Sequence, residues 1–175
     1  MSVPTSVFFA AQGATYEIER AGGFLWAPQK NKSGEPMFYW ENLTHVEAGN
    51  IILHYARGNF RAISEVHAQL TDNGWQGWSE EVMPKELPDH QDIAGWIVKC
   101  EYTEFVKPMP LEDFTDVILK FRNDKHSGFD KNGNVNKGYL YHLEDGIADA
   151  VIRKALGNQP NLSQIDYLVE YLNSR

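Results

Sequence analysis

The sequence has few of the features that mark secreted or membrane-bound chains. Its 175 residues include one cysteine, Cys100, so an internal disulfide is excluded. No apolar run reaches the ~18 residues that a membrane span needs, and the N-terminal residues lack the basic stretch of a signal peptide. We therefore expect a cytoplasmic protein with no membrane partner.

The common signatures of catalytic and metal sites are also missing. The six histidines form none of the paired Cys or His spacings of zinc sites, and neither a nucleophile elbow nor a Walker loop is present. Residues 130–141 begin like a calcium loop, but Val135 stands where that loop needs glycine and Tyr141 where it needs glutamate. We expect no metal, no other cofactor and no catalysis from this chain.

Basic residues are outnumbered and unevenly placed. The net charge is −8, which argues against non-specific binding to nucleic acid. Residues 79–92 carry five acids and one lysine, whereas residues 120–137 carry five basic residues and two aspartates. A locally basic surface is therefore compatible with the acidic total, although a solvated loop explains the same charges.

Aromatic residues are abundant: they make up 13% of the chain and include five tryptophans. Trp96 lies inside a predicted strand and is expected in the core. The other tryptophans and one tyrosine lie at strand ends or in loops: Trp26, Tyr39, Trp40, Trp75 and Trp78. Several such side chains close to lysines favour a stacking pocket more than any one of them alone.

Hydrophobic periodicity predicts alternating strands and helices. Strands are predicted over 6–11, 24–28 and 95–105, and a hairpin over 50–67 in whose second arm Phe60, Ala62, Ser64 and Val66 share one face. Helices or helical turns are predicted over 14–23, 41–49, 110–123, 144–157 and 161–174, and a long polar loop over 71–94. The order indicates a small, curled mixed sheet with helices around it.

One long stretch of the chain resembles a known family. Residues 8–66, FFAAQGATYEIERAGGFLWAPQKNKSGEPMFYWENLTHVEAGNIILHYARGNFRAISEV, resemble EVE-type domains of the PUA-like superfamily, especially those at the N-terminus of modification-dependent restriction endonucleases. The later GWIVKCEY and FDKNGNVNKGYLYHL are similar to the same group. The resemblance implies an α/β (α+β) fold, a curled mixed β-sheet or small barrel of about five to six strands surrounded by helices. We assign residues 1–157 to this domain and residues 158–175 to a C-terminal helix, either an appendage or the start of a linker.

The resemblance also implies a function. EVE domains are relatives of YTH domains, which hold a methylated base in an aromatic cage. The chain is therefore expected to bind double-stranded DNA that carries a modified base, with the base flipped into an aromatic pocket. A nuclease or NTPase domain is expected elsewhere, either linked covalently to this one or on another chain.

The same resemblance assigns roles to individual residues. Trp26 ends the second strand, where that architecture places one cage tryptophan, and the second is Trp75 or Trp78, with Trp78 favoured. Gln12 would contact a base edge, and Trp40 either lines the pocket or anchors the helical turn. Further candidates for base binding are Tyr39 and Asn31, and those for phosphate contacts are Lys30, Lys32, Arg57, Lys125 and Lys131.

Other interpretations stay open at this stage. PUA-like domains commonly bind RNA, so an RNA-binding module is the main alternative. A stand-alone enzyme acting on a nucleotide lacks a catalytic constellation, and a globular domain without any nucleic-acid role is favoured by the acidic net charge. Methylcytosine, hydroxymethylcytosine, a glucosylated form and methyladenine are all candidates for the base.

Overall fold

The computed structural model describes residues 5–174. The first four residues of the predicted domain 1–157 and the last residue of the predicted segment 158–175, Arg175, lie outside the described residues. The strands are β1 (Val7–Ala11), β2 (Phe24–Pro28), β3 (Ile51–Ala56), β4 (Asn59–Val66), β5 (Gln69–Thr71), β6 (Gly74–Gln76), β7 (Ser79–Val82), β8 (Ala94–Pro110) and β9 (Leu140–His142). The α-helices are α1 (Tyr16–Gly22), α2 (Phe38–Glu41), α3 (Thr115–Phe121), α4 (Asp145–Asn158) and α5 (Asp166–Asn173). Turns of 3-10 helix cover Asn42–His45 and Leu111–Phe114. Within this described part, none of the helices has the length and apolar character needed to cross a membrane.

One curled sheet organises the fold. Its strand order is β2-β8-β4-β3-β1-β9, and β7 pairs with the first residues of β8. β1 and β3 run parallel, whereas the other neighbours in this order are antiparallel. The predicted mixed sheet of about five to six strands surrounded by helices is confirmed.

Both faces of the sheet are apolar, because each is covered. Every strand of the curl contributes to the inner face, which is built from side chains such as Phe8, Leu25 and Val98. The opposite face of β1, β3 and β4 packs against α3, α4 and α5. Where β2 and β8 pair, the outer face carries a smaller cluster of its own: Phe24, Trp26, Leu87 and Ile97.

A β-bulge changes the face of the sheet on which the Phe60 side chain lies. In the pairing of β4 with β3, Phe60 faces Tyr55 and Ala62 faces His54, so Arg61 is an extra residue in β4. Phe60 therefore packs on the helix side of the sheet, while Val66 packs on the inner face. The prediction that Phe60 shares a face with Ala62, Ser64 and Val66 is wrong for Phe60, because the extra residue of a bulge reverses the alternation.

The predicted polar loop over 71–94 is wrong for residues 74–76 and 79–82, which form strands, whereas residues 83–93 contain neither helix nor strand. The chain forms a hairpin from β5 and β6 there, followed by β7, which pairs with β8 from Ser79↔Ile97 to Val82↔Ala94. These strands are short, and most of their side chains are exposed or half-buried. Strands at a solvated margin need no alternation of apolar residues, so sequence periodicity misses them.

Several predicted helix boundaries shift. The helical segment expected over 41–49 begins earlier, at α2, and its 3-10 turn ends at His45. The helix expected over 110–123 loses its first turn to a 3-10 turn, since β8 continues to Pro110. Helix α1 agrees with the prediction, and Gly23, with a φ of 71°, ends it in the left-handed region that favours glycine.

The last helix begins later than predicted and packs into the main core. Leu162, Leu168 and Tyr171 are fully buried in the cluster that covers the helix side of the sheet. The side-chain amide of Gln159 bonds both backbone groups of Lys107, accepting at 3.0 Å and donating at 2.6 Å. How the chain divides into independently folding units stays a prediction.

Candidate functional site

Trp26 lies on the outer face of the sheet and is covered. Its side chain is 7% exposed and packs with Leu87 and Ile97. The indole N–H donates to the backbone oxygen of Glu81 at 2.9 Å. A Cβ at Gly95 would overlap the indole, so one face of the ring lies directly on the β8 backbone. The role of Trp26 in base binding stays a prediction, and a base would have to displace the segment that covers it.

Three other tryptophans each pack against the inner-face cluster. They are Trp40 of α2, Trp78 directly before β7, and Trp96 of β8, and each is half-buried. Trp96 pairs with Ala27 of β2 and with Glu80 of β7, so the group lies where β2 ends and β8 begins. We call Trp40, Trp78 and Trp96 the tryptophan rim.

The loop that follows β2 borders the tryptophan rim. It joins Pro28 to α2 and carries Lys30 and Lys32, both exposed. The side-chain oxygen of Asn31 accepts from the backbone N–H groups of Ser33 and Glu35, each at 2.9 Å. Asn31 therefore shapes this loop, whose two exposed lysines lie between the end of β2 and the helix that carries Trp40.

The remaining predicted residues are scattered. Trp75 is 69% exposed on the hairpin of β5 and β6, and Tyr39 packs against the helix-side core. Arg57 lies in the turn between β3 and β4 and pairs with Glu17 at 2.8 Å. Strand β4 has eight residues, which places that turn roughly 25 Å from the β4 end nearest the rim. Lys131 is exposed in a turn, and Lys125 lines a cleft with three histidines.

Gln12 is 3% exposed and is held by a buried hydrogen-bond network. Its amide N–H donates to the Tyr102 hydroxyl at 2.9 Å and to Glu19 at 3.3 Å. Its amide oxygen is 2.8 Å from Nδ1 of His54, and Nε2 of His54 is 2.7 Å from the Ser64 hydroxyl. Since the Gln12 oxygen can only accept, His54 donates through Nδ1 and accepts from Ser64. The predicted contact of Gln12 with a base stays a prediction, and it requires this network to open.

Glu19 is the acid at the centre of the network. It is 2% exposed and accepts from Thr15 at 2.6 Å, from Gln12 and from Tyr139. Burial raises the pKa of Glu19 from 4.5 to about 7, although the three donors each lower it. Burial disfavours the charged form of His54 as well, which lowers its pKa to about 3, so this imidazole is neutral.

Tyr139 uses the same network to join the two edges of the curled sheet. Its hydroxyl donates to Glu19 and accepts from the backbone N–H of Trp26 in β2 at 3.1 Å. Its backbone oxygen accepts from Ala11, at the end of β1, at 2.7 Å. β2 and β9 are the outermost strands of the sheet order. The hydrogen bonds of Tyr139 therefore connect the two edge strands of the curled sheet.

Comparisons with known proteins agree with this architecture. No protein-family model and no curated protein matches the chain. Among solved structures, the Pho92 YTH domain in complex with m6A matches with a TM-score of 0.59 and 10% identity, over 92% of this chain and 90% of that chain. Protein Atu2648 from Agrobacterium tumefaciens matches with a TM-score of 0.49 and 15% identity, over 89% of this chain and 97% of that chain. The N-terminal domain of Staphylothermus marinus McrB matches with a TM-score of 0.49 and 10% identity, over 87% of this chain and 96% of that chain.

The first likeness shows that the chain has the fold of a YTH domain. The other two TM-scores are too low to carry an argument. The YTH-related fold that the sequence resemblance implied is therefore confirmed, while membership of the EVE group stays a prediction.

Sequence reasoning missed two features of this site. The alternation of Trp96 with Val98 and Cys100 predicts a core position, but Trp96 is the third residue of β8 and is half-buried. Its place near the start of the strand is the sequence signal for partial exposure. Glu19 was interpreted only as a helix-favouring acid, yet it is buried. No sequence pattern separates it from the exposed Glu17 of the same helix.

Proposed function

We propose that this chain is a non-catalytic reader of modified bases in nucleic acid, which holds a flipped base at the tryptophan rim. The observation that carries the proposal is the rim itself: three half-buried tryptophans at one end of the inner face. Tryptophan is large and is rarely fully buried even in a core, so the support comes from three such rings on one face rather than from the partial exposure of any one of them. Half-buried rings beside a lysine-bearing loop present stacking faces next to positive charge.

The energies are sufficient for such a site. Stacking a base on one aromatic side chain contributes about 1–3 kcal/mol, and flipping a base out of a duplex costs a few kcal/mol. Two stacking rings, together with phosphate contacts from Lys30 and Lys32, offset that cost. One methyl group adds about 0.8 kcal/mol when buried, so discrimination between bases requires a pocket shape that fits the modified form.

We further propose double-stranded DNA carrying a modified cytosine or methyladenine as the target. The chain would then serve as the specificity module of a modification-dependent restriction system whose nuclease or NTPase part lies elsewhere. The sequence resemblance to the N-terminal domains of such endonucleases supports this setting, and the YTH fold supports the reading of a modified base. RNA is the competing target and is included in the test.

The test is fluorescence anisotropy with one duplex carrying no modification, methylcytosine, hydroxymethylcytosine or methyladenine. Single-stranded RNA serves as a competitor. The wild-type protein should prefer one modified duplex at physiological salt. Trp78→Leu, which keeps apolar packing but removes the ring, should weaken that binding by about fivefold to a hundredfold.

Trp75→Leu is the matched control, because Trp75 lies three residues away but is 69% exposed on the hairpin. It should leave the affinity unchanged. Equal weak binding of all duplexes, fading with salt, would reduce the interaction to non-specific electrostatics. Stronger competition by RNA than by any duplex would move the target from DNA to RNA.

A further inference from the structure

The cleft that Lys125 lines lies beside α2, the helix that also carries Trp40 of the tryptophan rim. Its volume is about 390 Å³. We call it the histidine cleft, and it is lined by Phe38, Glu41, Asn42, His45, Asn123, Lys125, His126 and His142. Helix α2 contributes Phe38 and Glu41 to this cleft and Trp40 to the rim. One short helix therefore borders both the cleft and the rim.

Two imidazoles face each other inside the histidine cleft. Nδ1 of His45 lies 3.2 Å from Nε2 of His142, a hydrogen bond in which one ring donates and the other accepts. Both side chains are accessible to solvent. Adding one proton to the accepting nitrogen replaces this bond with two facing N–H donors and one positive charge, and a second proton is needed to charge both rings. An anion seated between the rings would accept from both.

The other charged groups of the cleft are of both signs, so the preference for an anion depends on protonation of the facing imidazoles. Lys125 is cationic, and His126 stacks on Phe38 with ring centroids 4.3 Å apart. Glu41 is the opposing acid among the lining residues. The nearby Glu144 carboxylate accepts through Oε2 from Ser127 at 2.7 Å and from the Asn123 backbone at 2.8 Å, which fixes its position and leaves its negative charge in place.

A metal ion is a poorer occupant of this cleft. Over residues 5–174, no three His, Cys, Asp or Glu side chains are placed so that they could hold a metal ion together. A phosphate group suits the cleft better, since imidazolium and ammonium groups bind phosphate oxygens through charge-assisted hydrogen bonds.

We propose that the histidine cleft binds a backbone phosphate of the nucleic acid next to the modified base, and that protonation of His45 and His142 strengthens this binding. The nucleic-acid part rests on the proposed function, whereas the phosphate site itself does not. Burial and the neighbouring His45 lower the pKa of His142, so an arriving phosphate should raise that pKa. The pair would then make nucleic-acid binding tighter in mildly acidic solution.

The phosphate site is tested without any modified base. Inorganic phosphate is titrated into the protein while the imidazole C–H signals are followed by NMR. The signals of His45 and His142 should shift together and the pKa of His142 should rise, while the exposed His67, which directly follows β4 and does not line the cleft, should not respond. Shifts no larger than those of His67 would overturn the site.

The nucleic-acid part is tested by duplex affinity at about pH 8 and at about pH 6, on either side of the ordinary imidazole pKa. Wild-type affinity should rise on the order of tenfold toward the lower pH. The double variant His45→Gln with His142→Gln should lose most of that rise, and His67→Gln should keep it. Because Glu19 also titrates near neutrality and His126 also lines the cleft, an equal rise in the double variant would assign the effect to a group other than the facing pair and overturn the proposal.

The two failures are distinguishable. If phosphate shifts the two histidines but no modified duplex is preferred, the proposed reading of modified bases fails and the phosphate site stands. If phosphate shifts them but a bound duplex leaves them unchanged, the cleft holds a small phosphate ligand and the backbone assignment is overturned.

Discussion

Replacing Glu19 with glutamine should remove a pH dependence from the stability of this protein. The carboxyl is buried beneath α1, and its pKa is raised to about 7 by burial. In the unfolded chain it returns to its ordinary value of 4.5. Between these values the folded state binds more protons than the unfolded state, so stability falls as pH rises.

The size of the effect follows from that shift. Each pKa unit corresponds to about 1.4 kcal/mol, so ionising Glu19 in the folded protein costs about 3 kcal/mol. The contribution of Glu19 is fully present below about pH 4.5 and is lost once the pH exceeds about 7. Glutamine resembles the protonated acid and carries no such loss. The free energy of unfolding of Glu19→Gln minus that of the wild type should therefore increase by about 3 kcal/mol from about pH 4.5 to about pH 8.

His54 makes the comparison with the wild type necessary. Its pKa is lowered from 6.5 to about 3, so its contribution to stability is present above 6.5 and is lost as pH falls through that range. This trend opposes that of Glu19 and would mask it in a single curve. Both proteins contain His54, so the difference between their curves isolates Glu19.

Urea unfolding at several pH values between about 4.5 and 8 gives the required free energies. Glu17→Gln is the matched control on the same helix, because Arg57 lowers the pKa of the exposed Glu17. The contribution of Glu17 is lost only below its ordinary pKa of 4.5, outside this range. If the difference in free energy of unfolding between Glu19→Gln and the wild type stays constant with pH, the pKa of Glu19 is not raised. The conclusion that Glu19 is buried in a hydrogen-bond network would then be wrong.

Two further substitutions test the covered position of Trp26. Trp26→Ala should destabilise the fold by about 3–5 kcal/mol in urea unfolding. Trp75→Ala should change the free energy of unfolding by less than about 0.5 kcal/mol. Similar values for both variants would mean that Trp26 is not buried. Gly95→Ala places a methyl group against the Trp26 indole and the Ala27 carbonyl, and should cost about 1–3 kcal/mol and expose the indole to acrylamide quenching. Unchanged quenching and stability in Gly95→Ala would contradict the close packing of this ring on β8.

The local elements were predictable where one physical signal dominates. The alternation from Trp96 to Tyr102 predicts a strand, and β8 contains it. The apolar runs on either side of Arg57 and Gly58 predict the hairpin, and both turn residues have the positive φ of such a turn. The polar β7 could not be predicted, because its pairing with β8 is a property of the neighbour and its own side chains are exposed.

The candidate site was predictable only in outline. The resemblance pointed to tryptophans and to the loop after β2, and Trp40, Trp78, Lys30 and Lys32 do lie at one end of the sheet. It also paired Trp26 with Trp78, but the structure places these two rings against different clusters. The histidines of the cleft lie far apart in the chain, so no spacing rule could have joined His45 to His142.

Residue types and their periodicity determined that this chain forms a mixed sheet with flanking helices and carries an unusual number of tryptophans. Only the tertiary structure decided which way those tryptophans point. The strand Phe24–Pro28 is apolar on both faces, since the inner face fills the curl and the outer face is covered by Leu87 and its neighbours. A strand covered on both sides has no polar face to reveal its orientation, so the side on which Trp26 lies depends on contacts that are distant in the sequence.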